Sequence, residues 1–323
     1  MGDFWERANR YRFRIMLLIT ALVVMPLSYY RLTQNARRAV ISNLESTRGA
    51  PDRRASIRVG AYNIAHGRHG AFVYEGREFS RSAMIEQLKE IGRAAKKARI
   101  DILALNETDF SVSRTFRVDQ ARIIARAAGL PFIARQANVD TGIAWKRWYL
   151  GNALLSRFPI REVRAVSFPE RHSLIKLAAG NMDGLLARVR LGKDQSVTVM
   201  AVHLEVMSEH ARVESARELI RLSRNAREPL IILGDFNSTP RQFPHSVRDH
   251  RGENAMDLLI ASRLFTLRPL QGDFTFPTRK PQRVIDWILI NRGSRFVEHA
   301  VPAWPYSDHL PVLAEVIPAK SSR

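Results

Sequence analysis

An α/β class follows from two features of this chain. Segments with apolar residues at helical spacing alternate with short apolar runs through the first half, and such runs dominate the second. Isolated polar residues also recur within or at the ends of these runs. They are Asn63 in VGAYNI, Glu107 in ILALNETD, His203 in VMAVHLE, Asp235 and Asn237 in LIILGDFNSTP, Asp286 in VIDWILIN, and Asp308 with His309 in YSDHLPV. A chain of 323 residues can bury a substantial core. Beyond its first fifty or so residues it suits one large domain.

Residues 1–14 read as a basic segment. Ile15–Tyr30 (IMLLITALVVMPLSYY) is uncharged and lies between Arg14 and Arg31. Its length falls just short of the roughly 17–25 residues usual for a spanning helix. Arg12, Arg14 and Arg31 can snorkel, and Trp5, Tyr11, Tyr29 and Tyr30 suit a membrane interface. A cleaved signal peptide is the main rival reading, but Pro26-Leu27-Ser28 makes a poor cleavage site, and a helix buried in the domain is a further alternative. The expectation is a single-pass membrane anchor over residues 15–30. Arginines on both sides leave its orientation open. Residues 31–56 lack a sustained apolar period and read as a polar linker.

The domain expected over 57–318 opens with IRVGAYNI, a β-rich run ending at Asn63. A helix follows, with Ser80 or Ser82 as cap and Met84, Leu88, Ile91, Ala95 and Ala98 at helical spacing. DILALNE is a short strand ending at Glu107. Val118–Ala128 reads as a second helix, ended by Gly129 and Pro131. GNALLSR and the segments near 185–191 and 197–203 read as strands. Ser208 caps a helix carrying Val213, Ala216, Leu219 and Ile220. PLIILGDFN, VIDWILIN and LPVLAEV are the closing strands. The segments 64–80, 138–149, 167–183 and 238–256 read as loops that shape any pocket.

Composition narrows the chemistry. No cysteine is present, which excludes disulfide frameworks and thiolate metal sites. The net charge is +20; residues 1–58 hold eleven Arg against four acids, leaving +13 on the remainder. A basic surface attracts polyanions, whether nucleic acid or an anionic bilayer. Strand ends that deliver carboxylates, amides and imidazoles to one rim provide oxygen ligands for a divalent cation and histidines for proton transfer. Asp286 sits within an apolar run, where a buried acid needs a partner. Asp235 and Asn237, two residues apart, point the same way in extended chain. Taken alone, that pair reads equally as an Asx turn.

The ordered set YNI, LNETD, GNALLSR, VHLE, GDFNSTP, IDWILIN and SDHLPV resembles the endonuclease/exonuclease/phosphatase superfamily, over about Ile57 to Val316. That superfamily includes DNase I-type nucleases, sphingomyelinases and inositol-phosphate phosphatases. GDFN and SDH are weak alone, but seven motifs in order are specific. The resemblance implies a four-layer sandwich of two mixed, mostly antiparallel β-sheets flanked by helices, with the site at one rim. It implies Glu107 as ligand of Mg²⁺ or Mn²⁺, with Asn63 and Asp308 at supporting positions around the metal. Asp235 is then assigned to the attacking water or the developing charge, and Asn237 to a phosphate oxygen or to orienting the nucleophile. Asp286 becomes the carboxylate that orients a catalytic His309, and His203 contacts the scissile phosphate. Arg114, Asp119-Gln120 and Asn152 resemble a bacterial subgroup, with Arg114 and Asn152 at the substrate; Arg114 reads equally as a bidentate phosphate clamp or as a scaffold salt bridge or loop charge. LNE in place of LQE and VHLE in place of THL are conservative departures. Abasic-site endonucleases usually lack the His203 equivalent, which argues against that role.

These readings give a monomeric, membrane-anchored Mg²⁺/Mn²⁺-dependent phosphodiester hydrolase acting on nucleic acid or a phospholipid headgroup. An inositol-phosphate or other phosphomonoester phosphatase is the alternative. An inactive binding module on the same fold is a further one, which the intact polar set argues against.

Overall fold

The structure, a computed structural model of the chain, describes residues 2–24, 38–44, 55–143, 146–168 and 182–319. Helix α1 (Gly2–Ile19) continues through a π-helical turn at Thr20–Val24. Its first turns carry Asp3, Glu6, Arg7, Arg10, Arg12 and Arg14, so the uncharged part of the described helix is Ile15 to Val24. At about 1.5 Å per residue that covers about 15 Å, half of the roughly 30 Å hydrocarbon layer. No helix among the described residues is long and apolar enough to cross a membrane. The expected single-pass anchor over 15–30 is therefore corrected; residues 25–30 lie outside the described residues. The helix is not buried in the domain either, since Ile15, Leu18 and Leu22 are exposed.

Two sheets form the body. The first has seven strands in the order β1 (Ala39–Ile41), β4 (Phe132–Ile143), β5 (Lys146–Ser156), β3 (Ile102–Asp109), β2 (Ile57–Asn63), β13 (Val312–Ile317), β12 (Arg295–Ala300). The second has six, in the order β10 (Phe265–Arg268), β11 (Asp286–Asn291), β9 (Leu230–Asp235), β8 (Ser196–His203), β7 (Gly184–Arg190), β6 (Ile160–Val166). Each sheet contains one parallel pair, β2 with β3 and β8 with β9; the other pairings are antiparallel. Parallel neighbours need a long crossover. Helix α2 (Arg81–Lys97) supplies it in the first sheet and α4 (Glu209–Arg224) in the second. The two sheets are thus built alike around their parallel pairs. Helices α3 (Gln120–Ala128) and α5 (Ala255–Ala261) complete the outer layers.

Period-two alternation explains the four layers. On β3, Ile102 and Ala104 face the other sheet, while Leu103 and Leu105 pack with Leu88, Ile91 and Ile124 of α2 and α3. On β9, Ile231 and Leu233 enter the shared core, and Leu230 and Ile232 meet Val213, Ala216 and Leu219 of α4. Both faces of each central strand are therefore covered, and the runs read as continuously apolar. The helix starts follow the sequence: Ser80, Asp119, Ser208 and Asn254 each accept a backbone N–H from the first turn, and Gly129 ends α3 with φ 70°.

Two of the differences from expectation lie in the first sheet. Within the predicted linker, Ala39–Ile41 adds an edge strand to β4; three residues are too few to show a period. The predicted loop 138–149 is largely the β4–β5 hairpin, paired out to Ile143 and Lys146.

Candidate active site

The two parallel pairs end at the same rim. In register, Asn63 lies beside Asn106 and His203 beside Asp235, while Asp286 pairs with Asp235 from the antiparallel side. Polar residues can occupy these positions because the strands run out of apolar neighbours there. Gly234 lets the second pair close. Its φ is 142°, and a Cβ would stand 2.0 Å from Val202 O and 2.9 Å from Asn106 Oδ1. Asn106, fully buried, ties the sheets together: Nδ2 donates to Val202 O (2.9 Å) and Oδ1 accepts from Asp235 N (3.0 Å).

Glu107 leaves the strand path. The β3–β5 register shifts between Leu105 and Thr108, and Glu107 takes φ 50°. A bulge of this kind re-aims a side chain, and a left-handed non-glycine residue costs about 1–3 kcal/mol, a pattern that clusters at functional sites. The carboxylate faces the cavity, held by Asn63 Nδ2 at 3.1 Å on Oε1 and by His66 Nε2 at 3.2 Å on Oε2. Burial pushes the Glu107 pKa up, but His203, His66 and the Asn63 amide outweigh it and hold the group ionised below its ordinary value. Asn63 also donates to Asp235 Oδ2 (3.1 Å), while its Oδ1 accepts from Ala65 N (3.0 Å). The amide thus turns its donor, not its oxygen, toward both carboxylates.

Asp235 is the hub. Its Oδ2 lies 3.7 Å from His203 Nε2 and 3.8 Å from His309 Nε2, and its Oδ1 accepts from Asn237 N at 2.8 Å. Asn237 has φ 51°, so the chain is not extended beyond β9 and the Asx turn is present. The Asn237 side chain donates to Leu204 O (3.0 Å) at the cavity wall. His309 Nδ1 lies 2.9 Å from Asp286 Oδ2, both side chains buried. Burial opposes the His309 charge, but Asp286, Asp235 and Asp308 around it lift its pKa to about 10. Burial and Asp235 raise Asp286 against the pull of His309. With Nδ1 engaged by Asp286, His309 Nε2 is the ring nitrogen that faces Asp235 Oδ2 at 3.8 Å. Phe276 packs on the ring at 4.8 Å between centroids.

The cavity is about 680 Å³. Beside this centre it is walled by Val139, Trp148, Leu150, Val206 and Ile285, with Arg114 and Arg283 adding positive charge. Arg114 directs Nε and Nη2 to the two oxygens of Asp109 (3.1 and 2.9 Å) and lies 5.0 Å from the Trp148 ring. The fork expected to clamp a phosphate is thus engaged by a buried carboxylate. Asn152, expected at the substrate, is fully buried and does not line the cavity. Its Oδ1 accepts from Asn106 (2.7 Å), and its Nδ2 donates to Gln136 and to Asp183 O. It braces the tie between the sheets.

His66 was not anticipated from the sequence. It bridges Glu107 and Asp109, with Nδ1 3.0 Å from Asp109 Oδ1. Its only signal was a position three residues after Asn63, in NIAHG.

The donor set fits a hard divalent cation. Glu107 and Asp308 present ionisable oxygens to the cavity, with Asn63 bracing the first. Few protein groups with water completing the shell is the pattern of Mg²⁺. Among the described residues near the centre, only Asp235, Asp286 and His309 form a close three-residue group, and their side chains are buried.

A family model described as "Endonuclease/Exonuclease/phosphatase family" matches residues 60–309. No curated protein is significantly similar in sequence. Among solved structures, the chain is similar to an endonuclease/exonuclease/phosphatase from Beutenbergia cavernae, with 18% identity, coverage of 83% of this chain and 73% of that one, and a TM-score of 0.57. A mannosyl-6-phosphatase from Bacteroides thetaiotaomicron shares 16% identity over 81% of this chain and 100% of its own, TM-score 0.60. The human Nocturnin catalytic domain with bound sulfate anion shares 16% over 87% and 97%, TM-score 0.55. The two mixed sheets with flanking helices are the DNase I-like sandwich, and with the match over 60–309 this chain belongs to the Endonuclease/Exonuclease/phosphatase family of phosphoesterases.

Proposed function

We propose that the chain is an Mg²⁺- or Mn²⁺-dependent phosphodiesterase that cleaves by in-line attack of water. One observation carries this reading: His203 and His309 converge on Asp235 within 3.8 Å, beside the ionised Glu107, at the mouth of a single cavity. Glu107 and Asp308 would hold the cation, with Asn63 fixing Glu107. When bound, it supplies Lewis-acid charge at the phosphoryl oxygens. Asp235, fixed by Asn63 and the Asn237 N–H, orients the attacking water and accepts its proton. His203 places positive charge or a proton at the phosphoryl oxygens, and His309, charged by its acidic neighbours, donates from Nε2 to the leaving oxygen as its bond to phosphorus breaks. Asp286 acts through the imidazole it orients.

The +13 on the chain beyond residue 58 supports a polyanionic substrate, nucleic acid or a phospholipid headgroup. A second reading, a compact phosphomonoester such as a sugar phosphate, is favoured by the cavity of about 680 Å³, within the range of small-molecule pockets. A panel with added Mg²⁺ or Mn²⁺ tests these, comparing DNA, RNA, phospholipid micelles, bis-p-nitrophenyl phosphate and sugar phosphates. Diester cleavage lost in EDTA is expected. Turnover of monoesters alone would favour the second reading, and no turnover of any phosphoester would overturn both.

A further inference from the structure

A second group of ligating side chains lies outside the cavity, where the chain leaves β8 and β9. His210 is in the first turn of α4, just after the cap Ser208; Asp249 and His250 are in the loop that precedes α5. His210 Nδ1 is 3.0 Å from Asp249 Oδ2, and the His210 and His250 rings lie 4.8 Å apart between centroids with their planes tilted by 58°. One ligand atom from each of the three residues lies within 4.8 Å of the other two. The Asp249 side chain is wholly buried, although its loop is exposed. Its Oδ1 accepts the backbone N–H groups of Arg251 (2.8 Å) and Glu253 (2.9 Å), which fixes Oδ2 toward the imidazole. With Oδ1 occupied by these two N–H groups, Oδ2 is the carboxylate oxygen left for a ligand beside His210 Nδ1.

We propose that His210, Asp249 and His250 form a binding site for a zinc-class transition-metal ion, separate from the catalytic cavity. Two imidazoles and one carboxylate suit Zn²⁺, whereas Mg²⁺ selects oxygen donors. Bonds of about 2.0–2.1 Å in a tetrahedral shell place ligand atoms about 3.3 Å apart. The His210–Asp249 pair already stands at 3.0 Å. The exposed His250 closes the remaining distance by a side-chain rotation, and water takes the fourth position. The ion takes the place of the proton between His210 Nδ1 and Asp249 Oδ2; the imidazole binds as the neutral ring with its N–H on Nε2, and any proton beyond that one passes to solvent. The site then joins the segment after His203 to the loop after Asp235, clipping together the connections that leave the parallel pair β8–β9.

The test uses untagged, metal-stripped, full-length protein titrated with ZnCl₂ by calorimetry and by thermal unfolding. It is run in the wild type and in a Glu107→Gln background that weakens the catalytic site as a competitor. The expected result is a Zn²⁺ site that raises Tm in both backgrounds and that equimolar Mg²⁺ does not reproduce. His250→Ala, at an exposed position, should weaken that site at least tenfold and lower the wild-type stoichiometry by one. His245→Ala, in the same loop but outside the group, should leave it intact. Absence of Zn²⁺ binding in either background, or equal binding after His210→Ala and His250→Ala, overturns the proposal. Neither result bears on the phosphoesterase reading, which is scored by turnover.

Discussion

Replacing Asp286 with Asn removes one charge from the most buried pair of the site and leaves its shape. His309 and Asp286 meet at 2.9 Å with side-chain exposures of 7% and 1%. Water screens this bond little, and a hydrogen bond to a charged group is worth about 1.5–3 kcal/mol. Deleting one partner of a buried pair outright costs about 3–5 kcal/mol; the amide still offers an oxygen, so the lower range is expected. The pH sign follows from His309. Its folded pKa is raised, to about 10, above an ordinary value near 6.5. The stability it contributes is fully present below about pH 6.5 and is lost as pH rises through the folded pKa. The advantage of wild type over Asp286→Asn in urea unfolding should therefore be large near pH 7 and shrink toward pH 10. Turnover should fall as well, by up to the ~10²-fold typical of a lost acid–base group. A stability difference that is flat from pH 7 to 10, alongside unchanged turnover, would refute the pairing.

Glu107→Gln should abolish turnover with little change in Tm, because the carboxylate sits at the cavity rim in a strained backbone position; full activity of this variant, or of wild type in EDTA, would remove the metal role. Gly234→Ala should cost about 3 kcal/mol or more, read by urea unfolding, since overpacking of this kind forces backbone shifts and the added Cβ would meet Val202 O at 2.0 Å. Arg114→Ala should destabilise the fold by about 1.5–3 kcal/mol through the abandoned Asp109 carboxylate, as well as alter KM; Arg114→Lys, which cannot span both oxygens, should recover little. A change confined to KM would restore the phosphate-clamp reading of that residue.

The central strands and the helices that cover them were legible in the sequence because burial on both faces leaves continuous apolar runs. Asn63, Glu107, His203, Asp235 and Asp286 were legible as polar interruptions of those runs. Their chemistry is local, so their positions survive without knowledge of the partner strand. Other features depend on neighbours distant in sequence. Asn152 reads as an active-site amide, yet the fold turns it inward to hold Asn106, which in turn receives the Asp235 N–H from the other sheet. His66 reads as one imidazole among nine, yet a left-handed turn sets it between Glu107 and Asp109. The N-terminal run has anchor-like composition, but the described helix begins in charged residues and offers too little apolar length to span a bilayer. Periodicity determines which face of an element is buried, because that needs only the geometry of one chain segment. Which polar atoms meet at the rim is decided by packing one sheet on the other, since hydrogen bonds across more than a hundred residues leave no trace in local pattern.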